Sequence, residues 1–325
     1  MKVCVYGAGA IGGILAAALV KAGVSTSLIA RGAQLGAITS RGLTVRDAAG
    51  ERTVQVRATE RPEELGTQDI VIIALKAPGV PAILDRIPVL LGESTAVVSA
   101  VNGLPWWYFH NLAGPYRDTR LAAVDPGGRQ WAVIGPQRAI GCVVYPAAEV
   151  VEPGIVQVLE GDRFLLGEPS GEATERVGRL AAALRKGGLK APVRPRIREE
   201  IWVKLWGNLC FNPISALTGG TLEQICRDPG TRALARAMMV EAEAIAGKLG
   251  ITMPVSVDQR IAGAEAVGAH KTSMLQDLER GRPMEIDALV ASVQEVGRLT
   301  GSPTPTIDAV LVLVQQRARL AGCYP

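Results

Sequence analysis

The sequence predicts an α/β fold, with an N-terminal Rossmann-type doubly wound sheet followed by an all-helical C-terminal domain. Three observations predict it. A short apolar strand runs directly into a glycine-rich turn at residues 3–12, and short apolar segments then alternate with helical stretches up to about residue 167. From about Arg196 onward only long helical patterns follow. Alternation of strands and helices is typical of a parallel sheet covered on both faces.

The chain has 325 residues, a length that suits two domains. Its residues are 48% hydrophobic and 20% charged, which excludes disordered and coiled-coil proteins. Pro192 and Pro195 enclose a short connection where the composition changes. We therefore expect a Rossmann-like domain at 1–194 and a helical domain at 195–325.

In the first domain the predicted elements are short. We expect strands at 3–6, 26–29, 69–74 and 95–99, a helix at 11–22, a hairpin formed by 43–46 and 53–57, and strand-like chain over 139–167 that includes 154–158 and 163–166. In the second domain we expect helices at 199–217, 232–249, 285–299 and 307–319. Pro213 is expected to bend or end the first of these helices and to help expose Asn212.

Several classes of protein are excluded by composition. The net charge is only +4 and no run of basic residues forms a patch, so we expect no nucleic-acid partner. Five widely spaced cysteines and two histidines predict no metal site and a reducing, cytoplasmic location. Residues 3–20 carry no charge and could be taken for a membrane segment, but their four glycines at turn-like spacing favour a strand and a helix instead.

The glycine-rich turn carries the first chemical signal. It has the pattern GxGxxG between a predicted strand and a predicted helix, the arrangement that places a pyrophosphate on a helix N-terminus. A turn with a purely structural role is the alternative. The candidate cofactor-binding residues here are Gly7, Ala8, Gly9, Ala10, Ile11 and Gly12.

Residues after three later strands suggest which dinucleotide is bound. The strand 26–29 is followed by Arg31, and no acidic residue occurs before Asp47. An acid at this position favours NAD, whereas an arginine accommodates the 2′-phosphate of NADP. Lys76 and Asn102 follow the next two buried strands, and either could line the cofactor crevice. The sequence thus predicts NADP(H) with Arg31 as a ligand of the 2′-phosphate. The alternatives are that Arg31 is an exposed surface arginine and that Lys76 is a solvated charge at the end of a strand.

The most informative group lies on the first long helix. Lys204, Asn208 and Asn212 are spaced i, i+4 and i+8, so they share one face of an otherwise apolar helix. Buried polar groups need partners, so this stripe is either a site or a solvated face. Ser273 and Glu285 follow later in the chain, and each taken alone could be a surface residue or a helix cap.

Taken together, these residues resemble the ketopantoate reductase (2-dehydropantoate 2-reductase) family. The matching features are GAGAIG at 7–12, Lys204 with Asn208 and Asn212, and Ser273 twelve residues before Glu285. The resemblance extends over nearly the whole chain. It implies a Rossmann domain, a helical domain and an active site in the cleft between them.

The resemblance also implies roles for individual residues. Lys204 matches the family's general acid and Glu285 its essential glutamate, while Asn208, Asn212 and Ser273 match residues that hold the substrate. Asn102 matches an asparagine near the nicotinamide, and Arg31 and Lys76 match positions associated with the 2′-phosphate. The expected reaction is reduction of ketopantoate, a small 2-oxo acid, to D-pantoate with NADPH.

The sequence departs from the family pattern in two places. A third substrate asparagine found in some members is missing from 218–222, and the segment 105–138, which contains Trp106, Trp107 and Tyr108, is longer and more aromatic. The aromatic segment keeps open the alternative of a D-2-hydroxyacid dehydrogenase acting on other bulky 2-oxo acids. Two further alternatives are a non-catalytic NADPH-sensing protein and a β-hydroxyacid dehydrogenase, since that group shares the Rossmann and helical domains and a lysine–asparagine pair. Apolar helices such as 307–320 favour a homodimer.

Overall fold

The computed structural model describes residues 1–324, and these form two compact units. The sheet unit consists of 1–101, 106–120 and 128–198. The helical unit consists of 102–105, 121–127 and the residues from Glu199 onward. The predicted fold class is confirmed: the first unit contains a mainly parallel sheet, and the helical unit contains no strand among its described residues.

The sheet unit contains eleven strands. They are β1 (Lys2–Tyr6), β2 (Ser25–Ile29), β3 (Leu43–Asp47), β4 (Gly50–Val54), β5 (Arg57–Thr59), β6 (Gln68–Ile73), β7 (Leu91–Ser99), β8 (Ala139–Val144), β9 (Ala147–Glu152), β10 (Ile155–Glu160) and β11 (Phe164–Gly167). Seven of them form one sheet in the order β11-β8-β7-β6-β1-β2-β5. All neighbours in it are parallel except β11, which runs antiparallel to β8 at the edge. Its central strands are almost entirely buried, as expected for a parallel sheet with both faces covered.

The remaining four strands form a second sheet that the sequence does not predict. Its order is β4-β3-β10-β9, so the predicted hairpin pairs with chain more than one hundred residues further on. This sheet packs on helix α1 (Ala10–Lys21). A Cβ atom added to Gly13 would lie 2.7 Å from Cγ2 of Val156 on β10, which shows how closely the helix and the second sheet approach.

Helix α1 is therefore covered on both sides, which explains its apolar composition. Eight of its residues are buried, and the segment 3–20 forms β1 and most of α1. Within residues 1–324, no helix is both long enough and apolar enough to cross a membrane. The other helices of the sheet unit are α2 (Gly32–Arg41), α3 (Arg129–Ile134) and α4 (Glu175–Lys186).

The helical unit is built around α5 (Ile197–Thr218), whose first two residues belong to the sheet unit. The helices that follow are α6 (Leu222–Arg227), α7 (Pro229–Lys248), α8 (Val257–Glu265), α9 (Ser273–Glu279), α10 (Ser292–Thr300) and α11 (Pro305–Leu320). The helices predicted near 199–217, 232–249 and 307–319 are confirmed. The helix predicted at 285–299 begins one residue later than expected, and it opens with a π-helical segment, Asp287–Ala291.

The prediction for Pro213 was wrong. Helix α5 continues through Pro213 to Thr218, and Asn212 is only 5% exposed. A proline inside a helix removes one hydrogen bond and costs about 3 kcal/mol or more. The neighbours Phe211, Ile214 and Ser215 are buried, so tertiary packing offsets that cost.

Candidate functional site

The glycine loop joins β1 to α1, and two of its glycines are required by the backbone. Gly7 has φ +117°, and a Cβ atom there would lie 2.8 Å from the carbonyl oxygen of Ala74. A Cβ atom on Gly12 would lie 1.8 Å from the carbonyl oxygen of Gly7. No side chain fits at either position, since real Cβ atoms essentially never come within 3.0 Å of another group. These two residues therefore account for the tight turn and for the close approach of the helix to the strand.

Gly9 differs, because nothing lies within 4 Å of its added Cβ atom. It is exposed and forms the N-cap of α1, where no side chain caps the helix. The first turn also contains no acidic residue. Amide donors and the positive end of the helix dipole thus meet open space in front of Gly9, which fits a pyrophosphate group. Ala8, Ala10 and Ile11 complete the loop and are half-buried.

Gln34 holds this loop in place, and sequence reasoning missed it. Its Nε2 donates to the carbonyl oxygen of Ala8 at 2.6 Å, and its Oε1 accepts from the amide of Gly154 at 2.8 Å. One side chain of α2 therefore ties the glycine loop to the turn between β9 and β10. A glutamine in a short helix carries no pattern that would single it out, so its role depends on tertiary pairing.

The two predicted phosphate-binding cations lie at the same edge of the sheet as the glycine loop. The loop follows β1, Arg31 follows β2 by two residues, and Lys76 follows β6 by three. These three strands are parallel neighbours, so their carboxyl ends meet at one edge, where open α/β sheets bind ligands. Arg31 and Lys76 are both exposed. Arg31 is the N-cap residue of α2, and its side chain makes no hydrogen bond or ion pair within residues 1–324.

Three other predicted residues form a hydrogen-bonded chain in the helical unit. The Nζ of Lys204 donates to Oδ1 of Asn102 at 2.6 Å, and Nδ2 of Asn102 donates to Oε2 of Glu285 at 3.1 Å. An ammonium group can only donate and a carboxylate can only accept, so the two partners fix the orientation of the amide. Glu285 is 8% exposed, whereas Lys204 and Asn102 are half-buried. We call this group the Lys–Asn–Glu chain.

The residue after Asn102 explains how that asparagine reaches its partners. Gly103 has φ +89°, and a Cβ atom there would lie 2.2 Å from the carbonyl oxygen of Ala288. The amide of Leu104 donates to the same oxygen at 3.1 Å. The short segment 102–105 thus packs directly on the π-helical segment that follows Glu285, and only glycine permits that approach.

The polar stripe of α5 is continuous because the helix does not end at Pro213. Lys204, Asn208 and Asn212 span about 12 Å along one face, at 1.5 Å per residue. Asn208 is half-buried, and Nδ2 of Asn212 is buried and has no hydrogen-bond partner within residues 1–324. On another side of the helix, Nε1 of Trp206 donates to the carbonyl oxygen of Met239 on α7 at 2.9 Å, which fixes α5 in the unit.

Ser273 is not joined to the Lys–Asn–Glu chain by any hydrogen bond in the described structure. It is the exposed first residue of α9. The preceding residue, Thr272, is buried and caps the helix, its Oγ1 accepting from the amide of Leu275 at 3.3 Å. The hydroxyl of Ser273 is therefore not used for capping.

Nicotinamide-dependent oxidoreductases are the class defined by a Rossmann-type sheet with this glycine loop and a helical unit in which an asparagine links a lysine to a glutamate. Two family models match the chain: ketopantoate reductase PanE/ApbA over residues 3–171, and ketopantoate reductase PanE/ApbA C terminal over residues 196–318. The chain belongs to this ketopantoate reductase family, as the resemblance predicted.

Relatives match over the full length. A 2-dehydropantoate 2-reductase of Mesorhizobium japonicum is 61% identical over 325 residues, which cover 100% of both chains. The protein in a crystal structure from Ralstonia solanacearum MolK2 is 44% identical in sequence to this chain. The two structures superpose with a TM-score of 0.95 over 99% of each chain. The structure of 2-dehydropantoate 2-reductase from Geobacter metallireducens GS-15 is 28% identical, with a TM-score of 0.85 over 97% of this chain and 99% of that one.

Proposed function

We propose that this chain reduces 2-dehydropantoate (ketopantoate) to D-pantoate with NADPH, and that Lys204 is the general acid. The observation that carries the proposal is the Lys–Asn–Glu chain, in a protein 61% identical over its whole length to a 2-dehydropantoate 2-reductase. A protein that only senses NADPH has no need of this set of donors and acceptors.

The proposed chemistry follows from where charge develops. When bound, the reduced nicotinamide supplies the hydride that goes to the 2-keto carbon. As that carbon is reduced, its oxygen becomes negative, and the ammonium of Lys204 stabilises the charge and donates the proton that completes the alcohol. Asn102 holds the ammonium in position, and Glu285 in turn fixes the direction of the Asn102 amide. We therefore assign Lys204 as the acid and Glu285 as a residue that orients the Lys–Asn–Glu chain and binds a substrate hydroxyl.

Substrate binding is assigned to Asn208, Asn212 and Ser273. A buried donor without a partner costs about 1–3 kcal/mol, so Nδ2 of Asn212 gains most from a substrate oxygen. Both asparagines can bind a keto acid without adding charge near the lysine. Ser273 is exposed, and its hydroxyl is chemically suited to hydrogen-bond a carboxylate or a hydroxyl of the substrate.

NADPH is proposed over NADH because β2 is followed by Arg31 and by no acid. The sheet places Lys76 at the same edge. We expect Arg31→Ala to weaken NADPH binding roughly ten- to hundredfold, since hydrogen bonds to charged groups contribute about 1.5–3 kcal/mol, and to leave NADH binding nearly unchanged. Kinetic constants with both cofactors measure this change in preference.

Arg179→Ala is a matched control, because Arg179 is also an exposed arginine of the sheet unit and makes only a weak ion pair with Glu175. Its preference for NADPH should equal that of the unmodified protein. If Arg31→Ala weakens the binding of NADPH and of NADH by the same factor, Arg31 does not bind the 2′-phosphate.

The alternative from the aromatic segment, a dehydrogenase of other bulky 2-oxo acids, loses its support. Trp106, Trp107 and Tyr108 are between 0% and 4% exposed and form part of the core of the sheet unit. Trp106 packs edge-on against Trp131 at 6.2 Å between ring centroids. Packing of these rings within the core accounts for the length and aromatic content of the segment, so neither feature requires a larger substrate pocket. D-mandelate dehydrogenase, solved with NADH and anilino(oxo)acetate, is 20% identical with a TM-score of 0.82, a likeness of fold alone.

A homodimer is also part of the proposal. Helix α11 exposes Val312, Leu313 and Leu320, and exposed apolar side chains grouped on one helix favour contact with a second copy. We expect light scattering to give a dimer mass, and Leu313→Lys combined with Leu320→Lys to give a monomer that retains its fold. A monomer mass for the unmodified protein would contradict this assignment.

Product analysis tests the proposed reaction. The purified protein is incubated with NADPH and ketopantoate, and the product is separated on a chiral column. We expect D-pantoate in an amount equal to the NADPH consumed. No consumption of NADPH, or a product other than pantoate, would overturn the proposal.

A further inference from the structure

The residues on either side of Glu285 are held by two residues that follow α11. The amide of Met284 donates to the carbonyl oxygen of Cys323 at 3.0 Å. The hydroxyl of Tyr324 donates to Oδ1 of Asp287 at 2.6 Å. Glu285 therefore lies between two anchored positions, and we call Cys323 and Tyr324 the anchor pair.

Glu285 needs such anchors because regular secondary structure does not fix it. Helix α9 ends at Glu279, and residues 282–285 belong to no helix or strand. The chain then enters the π-helical segment. Such segments are rare in proteins, and many of those that occur lie at functional sites. The carbonyl of Glu285 accepts the first hydrogen bond of that helix, from the amide of Leu289 at 3.2 Å. The contacts that hold residues 284 and 287 on either side therefore contribute to the position of its carboxylate.

The anchor pair is itself firmly held. Nε2 of Gln315 on α11 donates to the hydroxyl oxygen of Tyr324 at 3.0 Å, and the guanidinium of Arg319 lies 5.2 Å above the centre of the tyrosine ring. Cys323 is 1% exposed. Burial raises the pKa of Asp287, while the hydrogen bond from Tyr324 and the charge of Arg319 oppose that rise. Two residues of α11, Gln315 and Arg319, therefore hold the side chain of Tyr324 where it donates to Asp287.

We propose that the anchor pair positions Glu285 for its bond with Asn102, so that Tyr324 is a positioning residue for the reaction, acting from outside the Lys–Asn–Glu chain. The proposal rests on the role assigned to Glu285 under the proposed function. Displacing a catalytic group by about 1 Å can cost a hundredfold in rate, so the loss of one anchor is measurable.

The test is Tyr324→Phe, which keeps the ring beneath Arg319 and removes only the hydroxyl. We expect kcat/KM for ketopantoate to fall between ten- and a hundredfold, mainly through kcat, with the affinity for NADPH unchanged. Thr304→Val is the matched control, because it also removes one hydroxyl that donates to a carboxylate, that of Asp308 at 2.9 Å, at the other end of α11. The control should keep the kcat of the unmodified protein.

The same change made in a Glu285→Gln background separates positioning from general stability. If Tyr324 acts through Glu285, Tyr324→Phe has little further effect once the carboxylate is gone, so the two losses do not add. If Tyr324 acts only on stability, Tyr324→Phe lowers kcat/KM by the same factor with and without Glu285→Gln, and the proposal is overturned. Full activity of Tyr324→Phe beside an impaired Glu285→Gln overturns it as well.

Further variants keep the test decisive if Tyr324→Phe folds poorly. Asp287→Asn retains an oxygen that accepts from Tyr324 and should stay close to the unmodified kcat, whereas Asp287→Leu should reproduce the loss. Equal activity of these two variants would overturn the proposal. Failure of the proposed function looks different, since the unmodified protein would then not reduce ketopantoate, or Glu285→Gln would lose nothing.

Discussion

We expect Lys204→Ala to reduce ketopantoate about 10²–10⁴-fold more slowly than the unmodified protein, while NADPH still binds. The factor is the usual contribution of a general acid, the role proposed for Lys204, whose Nζ donates to Oδ1 of Asn102 at 2.6 Å. NADPH binding should persist because the glycine loop belongs to the sheet unit. Steady-state rates with ketopantoate and calorimetric titration with NADPH measure the two effects separately.

Two controls accompany that experiment. Lys204→Met removes the charge and keeps a long side chain, so it should be as inactive as Lys204→Ala. Lys248→Ala removes an exposed lysine near the end of α7 and should be fully active. A Lys204→Ala enzyme with a kcat within about twofold of the unmodified protein would show that the proton comes from another group.

Gly9→Ala is expected to weaken NADPH binding at least tenfold, about 1.4 kcal/mol, without lowering the melting temperature. The backbone of Gly9 has φ −75° and ψ −172°, which alanine adopts readily, and its added Cβ atom meets no atom of the protein within 4 Å. The methyl group therefore affects only a ligand that approaches the loop. Calorimetry and thermal unfolding give the two quantities.

Comparison with two other glycines makes the result specific. Gly36→Ala places a methyl group in equally open space inside α2, so it should leave the affinity for NADPH unchanged and raise the stability by about 0.5–1 kcal/mol. Gly12→Ala brings a Cβ atom to 1.8 Å from the carbonyl oxygen of Gly7 and should lower stability strongly. Unchanged NADPH affinity in Gly9→Ala would show that the pyrophosphate does not approach this part of the loop.

Much of the fold was predictable because its signals are local. Strand β1, the glycine loop and α1 are contiguous, and the buried strands β1 and β6 each contain a run of four apolar residues. The second sheet was not predictable, because it pairs Thr44 with Ile155 across more than one hundred residues. Only tertiary packing sets that register.

The sequence indicates which residues are candidates for the site, but it does not indicate which of them contact each other. Spacing on one helix identifies Lys204, Asn208 and Asn212, but it says nothing of a contact between Lys204 and Asn102, which are 102 residues apart. The burial of Asn212 was predicted wrongly, because local rules for proline omit the packing that keeps α5 intact. Gln34 and Tyr324 gave no signal, since each acts through a side chain that meets distant backbone or a distant carboxylate.

The proposed substrate and cofactor are tested together by the ratio of kcat/KM for ketopantoate to kcat/KM for other branched and aromatic 2-oxo acids, measured with NADPH and with NADH. We predict that ketopantoate with NADPH gives the highest value of the whole panel. A higher value for an aromatic 2-oxo acid, or for NADH, would contradict the assignment of substrate or of cofactor.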